Sequence, residues 1–102
     1  MSLNFDDIKN AFLAEAEKTL GEFKDLEEKA RPILLKVAEL SSKVAYYRLI
    51  NDPLPALETS LIATLRELEL AGLLAIRNAW EKNITNIFQT ITIVLIGLAA
   101  TA

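Results

Sequence analysis

The last twenty residues, NITNIFQTITIVLIGLAATA (83–102), contain no charged side chain. From residue 84 onward there are twelve apolar residues, one Gly, four Thr, one Asn and one Gln. Nine of these are large Ile, Leu, Val or Phe side chains. At roughly 100 Å² each and about 25 cal/mol per Å², burying them is worth on the order of 20 kcal/mol before chain entropy is subtracted. Such a segment must be dry, and three environments would keep it so.

A transmembrane helix needs roughly 20 apolar residues, which the segment nearly supplies. Against a membrane span, Asn86 and Gln89 fall in its first half, Trp80 is the only interfacial-type aromatic nearby, and no Lys or Arg follows it. A β-strand would suit TITIV (90–94), β-branched throughout, but no second strand-like segment exists to pair with it. The third environment is the interior of a helical assembly. Leu57, Leu61, Leu65, Leu68, Gly72, Ile76, Trp80, Ile84, Ile87, Ile91, Val94 and Leu98 form a single stripe with a mean step of about 3.7 residues, close to the 11-residue repeat of nearly straight helices. The tail continues that stripe in phase. Phe88, Ile93, Leu95 and Ile96 fill the other faces, and a helix apolar all round belongs at the centre of something.

The remainder of the chain also reads as helix. Ser2 and Asn4 are suitable N-caps, and Asp6 and Asp7 then fall in a first turn, where carboxylates favour the positive end of the helix dipole. Phe5, Ile8, Phe12, Ala16, Leu20, Phe23, Leu26 and Ala30 recur every three or four residues with acids and lysines between them. Phe23, Leu26, Ala30, Ile33, Val37, Leu40, Val44 and Tyr47 continue as a heptad seam that crosses Pro32 in phase. Either one helix kinks at Pro32, or a second helix begins there with the proline in its first turn.

The strongest punctuation is NDPLP (51–55). Two prolines after Asn and Asp stop a helix and set up a turn. Residues 4–50 and 55–101 flank it with 47 residues each, about 70 Å apiece if helical. Ala71-Gly72 interrupts the second arm and suits a hinge, a break between two shorter helices or a close approach by another helix, but no proline or capping box accompanies it, so the periodicity favours continuity there. The expected fold is all-α: one helical domain over 1–102, a long hairpin with arms about 4–50, kinked near Pro32, and 55–101, turning at 51–55. It is expected to pack into an oligomeric bundle through Trp80, Ile84, Ile87, Phe88, Ile91, Val94, Leu95 and Leu98.

Composition removes most chemistry. With no Cys and no His there are no thiolates, no imidazole base and no Glu-x-x-His di-iron motif. A net charge of −3 supplies no field for a nucleic acid backbone. No calcium loop, phosphate loop or GxSxG elbow is present, and Glu58, Glu67 and Glu69 read as a solvated face. The pair Tyr46 and Tyr47 reads as seam and bundle-end cover. Asn83-Ile84-Thr85 matches a glycosylation acceptor, but MSLNFDDIKNAF does not read as a secretion signal.

The sequence therefore predicts a non-enzymatic structural or assembly protein, without catalytic residues, metal or cofactor. It is expected to self-associate, or to bind protein partners, in the cytoplasm or in a particle assembled there. The alternative is a small membrane-associated protein with residues 84–102 inserted. A chaperone or inhibitor that captures a partner's helix in a groove is a third possibility.

Overall fold

Asn4 sets the start of the first helix. Its side chain accepts a hydrogen bond from the Asp7 backbone N–H at 3.0 Å, and the Asp7 carboxylate reaches back to the Asn4 N–H at 3.5 Å. Two orphan donors are thereby satisfied reciprocally. Four α-helices follow in the computed structural model, which describes residues 4–101, with side chains described for 4–87 and Gln89. They are α1 (Phe5–Gly21), α2 (Glu27–Leu49), α3 (Pro55–Leu70) and α4 (Leu74–Thr101), with one 3-10 turn (Lys24–Leu26) before α2. No strand occurs among the described residues, and the TITIV segment (90–94) is helical.

The first arm breaks ten residues earlier than Pro32. At Gly21 the hydrogen bonds of α1 shift to the tighter i→i+3 pattern, Glu22 to Thr19 and Phe23 to Leu20, and Phe23 leaves helical geometry at φ −130, ψ 57. Glycine weakens the helix there, and nothing lies within 4 Å of where its Cβ would be. Pro32 instead sits inside α2, exposed, in its second turn. It forfeits the amide that would bond the Glu28 carbonyl, yet α2 continues through it to Leu49.

The break lets α2 fold back antiparallel on α1: Arg31 meets Glu17 at one end, and Tyr46 meets Phe5 at the other, ring centroids 5.5 Å apart. α2 is covered on its other side by α3, also antiparallel, through Arg48 with Glu58 and Lys36 with Glu67. Two neighbours demand a wide buried arc. Ala30, Leu34, Val37, Ala38, Ser41, Ser42, Val44 and Ala45 are all buried, many of them small enough for close helix approach. The expected narrow seam is correspondingly wrong in part: Leu26 is exposed, and Ile33, Leu40 and Tyr47 are half-buried.

Both remaining helix ends use one device. α2 ends with Asn51 at φ 60, its N–H donating to the Arg48 carbonyl while the Asp52 N–H donates to Tyr47. α3 ends with Gly72 at φ +79, its N–H donating to Glu69 while Leu73 N–H donates to Leu68. These are Schellman closures, and the second has its usual hydrophobic clasp, since Leu68 and Leu73 are both buried. The expected continuity of the second arm is therefore overturned. No proline or capping box was needed to end α3; a glycine able to take a left-handed backbone, between two leucines, was enough.

Beyond Gly72, α4 leaves α3 and packs across α1, sharing little with α3 beyond their junction. Phe12 meets Trp80 and Thr19 meets Asn83. Ile8, Phe12, Ala16 and Leu20 of α1 close the core against Ile76, Trp80 and Ile87 of α4, with Leu34 and Val37 of α2 and Leu68 of α3. At 1.5 Å per residue the 28 residues of α4 span about 42 Å, against a longest molecular dimension of 46 Å. The 17 and 16 residues of α1 and α3 reach only about 25 Å.

Candidate interaction surfaces

Ion pairs occupy the polar surface. Arg31 bridges Glu17 on α1 and Glu27 on its own helix; hydrogen bonding to Glu17, then to Glu27, raises its guanidinium further above an already high pKa. It stays charged and has no proton to exchange at working pH. Glu58 pairs with Arg48, Glu67 lies 3.9 Å from Lys36, and Arg77 meets Glu69 at 2.8 Å and Glu81 at 3.1 Å. Among the described residues no cluster of acids is arranged to hold a metal ion.

The residues expected at an interface between copies divide into two sets. Trp80 is fully buried against the Phe12 ring, Ile87 is 8% exposed, and Ile84 is half-buried against the same core. Within one copy these three pack into the core formed with α1, α2 and α3. A single straight second arm would carry the whole stripe along one face. Once it bends at Gly72, its C-terminal part turns back over α1 and closes the protein's own core. The side chains of Phe88, Ile91, Val94, Leu95 and Leu98 lie outside the described residues, while the backbone of α4 remains helical through Thr101.

Three large apolar residues of α3 and α4, off the stripe, are exposed, which stripe counting missed. Leu70 is 81% exposed, Ile62 66% and Leu74 47%. Each falls between stripe positions, and that offset was the available signal. Leu70 and Leu74 flank the Gly72 elbow, and Ile62 lies two turns back on α3. Exposed leucines at a helix joint are costly unless something covers them.

Tyr46 and Tyr47 do gather at the bundle end. Phe5 meets Tyr46 edge-on at 73°, and Tyr46 meets Tyr47 at 5.4 Å and 78°; with Lys43 they line an open pocket of about 290 Å³. Such edge-to-face pairs contribute about 0.5–1.5 kcal/mol each beyond the area they bury. The cluster ties the start of α1 to the end of α2. Lys43 at its rim lies 3.7 Å from Glu39.

Asn83 is not presented to a glycosylating enzyme. Its side-chain Nδ2 donates to Thr19 Oγ1 at 2.8 Å, half-buried between α1 and α4, and Thr19 in turn donates to the Glu15 carbonyl at 2.8 Å. A polar pair thus fixes the register of α4 on α1.

No protein-family model, curated protein or solved structure matches this chain. Among the described residues no helix is long and apolar enough to cross a membrane.

Proposed function

We propose that the protein is a non-enzymatic structural or assembly module that self-associates through apolar helix faces, as a component or scaffold of a larger complex. The observation that carries this reading is the mismatch between α4 and its partners. α4 contributes Ile76, Trp80 and Ile87 to the core, then continues helical for fourteen more residues to Thr101, about 21 Å, without a charged side chain. Neither its first turn carries an acid nor its last turn a base, so no charge complements its dipole. At 28 residues α4 is longer than the 17-residue α1 on which it packs, and copies of the same chain offer a surface for its uncharged end. The exposed Ile62, Leu70 and Leu74 add to the apolar area that association would cover.

The test is substitution in the projecting half of α4. Ile91→Asp and Val94→Asp place a carboxylate where an apolar contact between copies is proposed, and an unpaired charge there is costly. Both are expected to lower the native mass measured by light scattering, whereas Glu28→Ala on the exposed face of α2 leaves it unchanged. Unchanged mass for both Asp variants refutes the proposed contact.

A second reading follows from length. Residues 84–101 of α4 reach about 27 Å, close to the roughly 30 Å hydrocarbon core of a bilayer. Under that reading the chain sediments with membranes and leaves them only in detergent; under the assembly reading it is an oligomer in plain buffer, in the cytoplasm or in a particle assembled there.

A further inference from the structure

The elbow between α3 and α4 consists of Ala71, Gly72 and Leu73, and it depends on the left-handed backbone of Gly72 at φ +79. The sequence to either side is patterned for a single helix. Leu57, Leu61, Leu65, Leu68, Gly72, Ile76, Trp80 and Ile84 share one stripe, and no proline interrupts it. A strong hydrophobic period thus runs straight through the point where the chain bends.

Several contacts exist only because of the bend. Arg77 bonds Glu69 at 2.8 Å, eight residues away, a span of about 12 Å in a straight helix that the pair would have to bridge. The Lys29 ammonium donates to the Ala71 carbonyl at 2.6 Å, a group that an unbroken helix would use internally. In return, Leu70 and Leu74 are left 81% and 47% exposed. In an unbroken helix these two, four residues apart, stand one turn apart on one face.

What holds the chain bent is the burial of Ile76, Trp80 and Ile87 in the core. Those contacts do not require that α4 come from the same chain. We propose that the protein forms a reciprocally exchanged dimer, in which the Gly72 elbow opens, α3 and α4 become one helix, and α4 of each copy packs across α1 of the other. The core contacts of Ile76, Trp80 and Ile87 are kept while the Leu68 and Leu73 clasp at the elbow is given up, so the balance is set at the joint. Opening forfeits the Arg77 and Lys29 bonds at the surface, and it gains helical hydrogen bonds through 71–73. It also gains a face of paired Leu70 and Leu74 where the two joints pass each other. A three-residue hinge favours exchange because it leaves little slack for any third arrangement. The inference rests on the self-association reading and gives it a geometry.

The chain has no cysteine, so a specific cross-link is clean. Thr19 and Asn83, in contact at 2.8 Å across α1 and α4, are replaced together, Thr19→Cys with Asn83→Cys, in the full chain, and treated with a short bifunctional thiol reagent. A closed copy links within itself and runs at 11.3 kDa on a denaturing gel; an exchanged pair links between chains and runs at twice that mass. Interchain linkage is expected with Gly72 in place. Gly72→Ala disfavours the left-handed elbow and raises the ratio of interchain to intrachain links about tenfold. Four flexible residues (Gly-Gly-Ser-Gly) inserted after Gly72 break the helical alternative and return the link to one chain. Intrachain links alone in the Gly72 background overturn the proposal, whatever Gly72→Ala does. If light scattering shows an oligomer in that same sample, exchange fails and self-association stands; a monomer removes both.

Discussion

Trp80 and Phe12 meet between α4 and α1 with ring centroids 6.2 Å apart and planes inclined at 51°, and neither ring reaches solvent. Among the described residues they are the two largest fully buried side chains. Trp80→Ala is expected to cost about 3–5 kcal/mol, the range for emptying a large aromatic site. Phe12→Leu, which keeps more of the volume, is expected to cost less than half of that. Urea unfolding followed by tyrosine fluorescence and circular dichroism checks both, and a Trp80→Ala cost below about 1 kcal/mol places Trp80 outside the core.

The Thr19 to Asn83 hydrogen bond makes a separate prediction. Thr19→Val keeps the shape but removes the acceptor, leaving a half-buried amide donor unpaired, and is expected to cost about 1–3 kcal/mol. Asn83→Leu removes the other partner. A double-mutant cycle between them is expected to show coupling of about 0.5–1.5 kcal/mol. Strict additivity means the two side chains do not meet.

Much of this arrangement was legible in the sequence. The stripe of Leu68, Ile76, Trp80 and Ile87 is buried, as are Ile8, Phe12, Ala16 and Leu20 of α1, and the NDPLP turn separates two helices. The two elbows were not legible. Hydrophobic period is a property of faces, and a face continues in phase across a Schellman closure as readily as across a helical turn. Gly21 and Gly72 carried the breaks, while Pro32, the more conspicuous residue, is absorbed into α2. The site followed the same logic: a stripe position suits a contact between copies as well as the chain's own core, and only the bend at Gly72 brings Trp80 and Ile87 onto α1.

Pro32 inside α2 predicts a direction. Pro32→Ala restores an amide donor to the Glu28 carbonyl on an exposed face and is expected to stabilise the protein by about 1–3 kcal/mol. Thermal unfolding by circular dichroism measures it. A loss of stability shows that the proline shapes the start of α2.

Asn51 at φ 60 predicts a ranking. Asn51→Gly is expected to change stability by only a few tenths of a kcal/mol, since both residues tolerate the left-handed region. Asn51→Val, β-branched, is expected to cost about 1–2 kcal/mol. Equal stabilities for the two variants, by denaturant midpoint, contradict the closure drawn for α2.

If protein keeps the uncharged end of α4 from water, the mass of the 102-residue chain by light scattering, after expression and purification without detergent, reports it. A discrete multiple of 11.3 kDa, unchanged when mild detergent is added, is the predicted result. A stable 11.3 kDa monomer in plain buffer, or a chain recovered only from the membrane fraction, would contradict it.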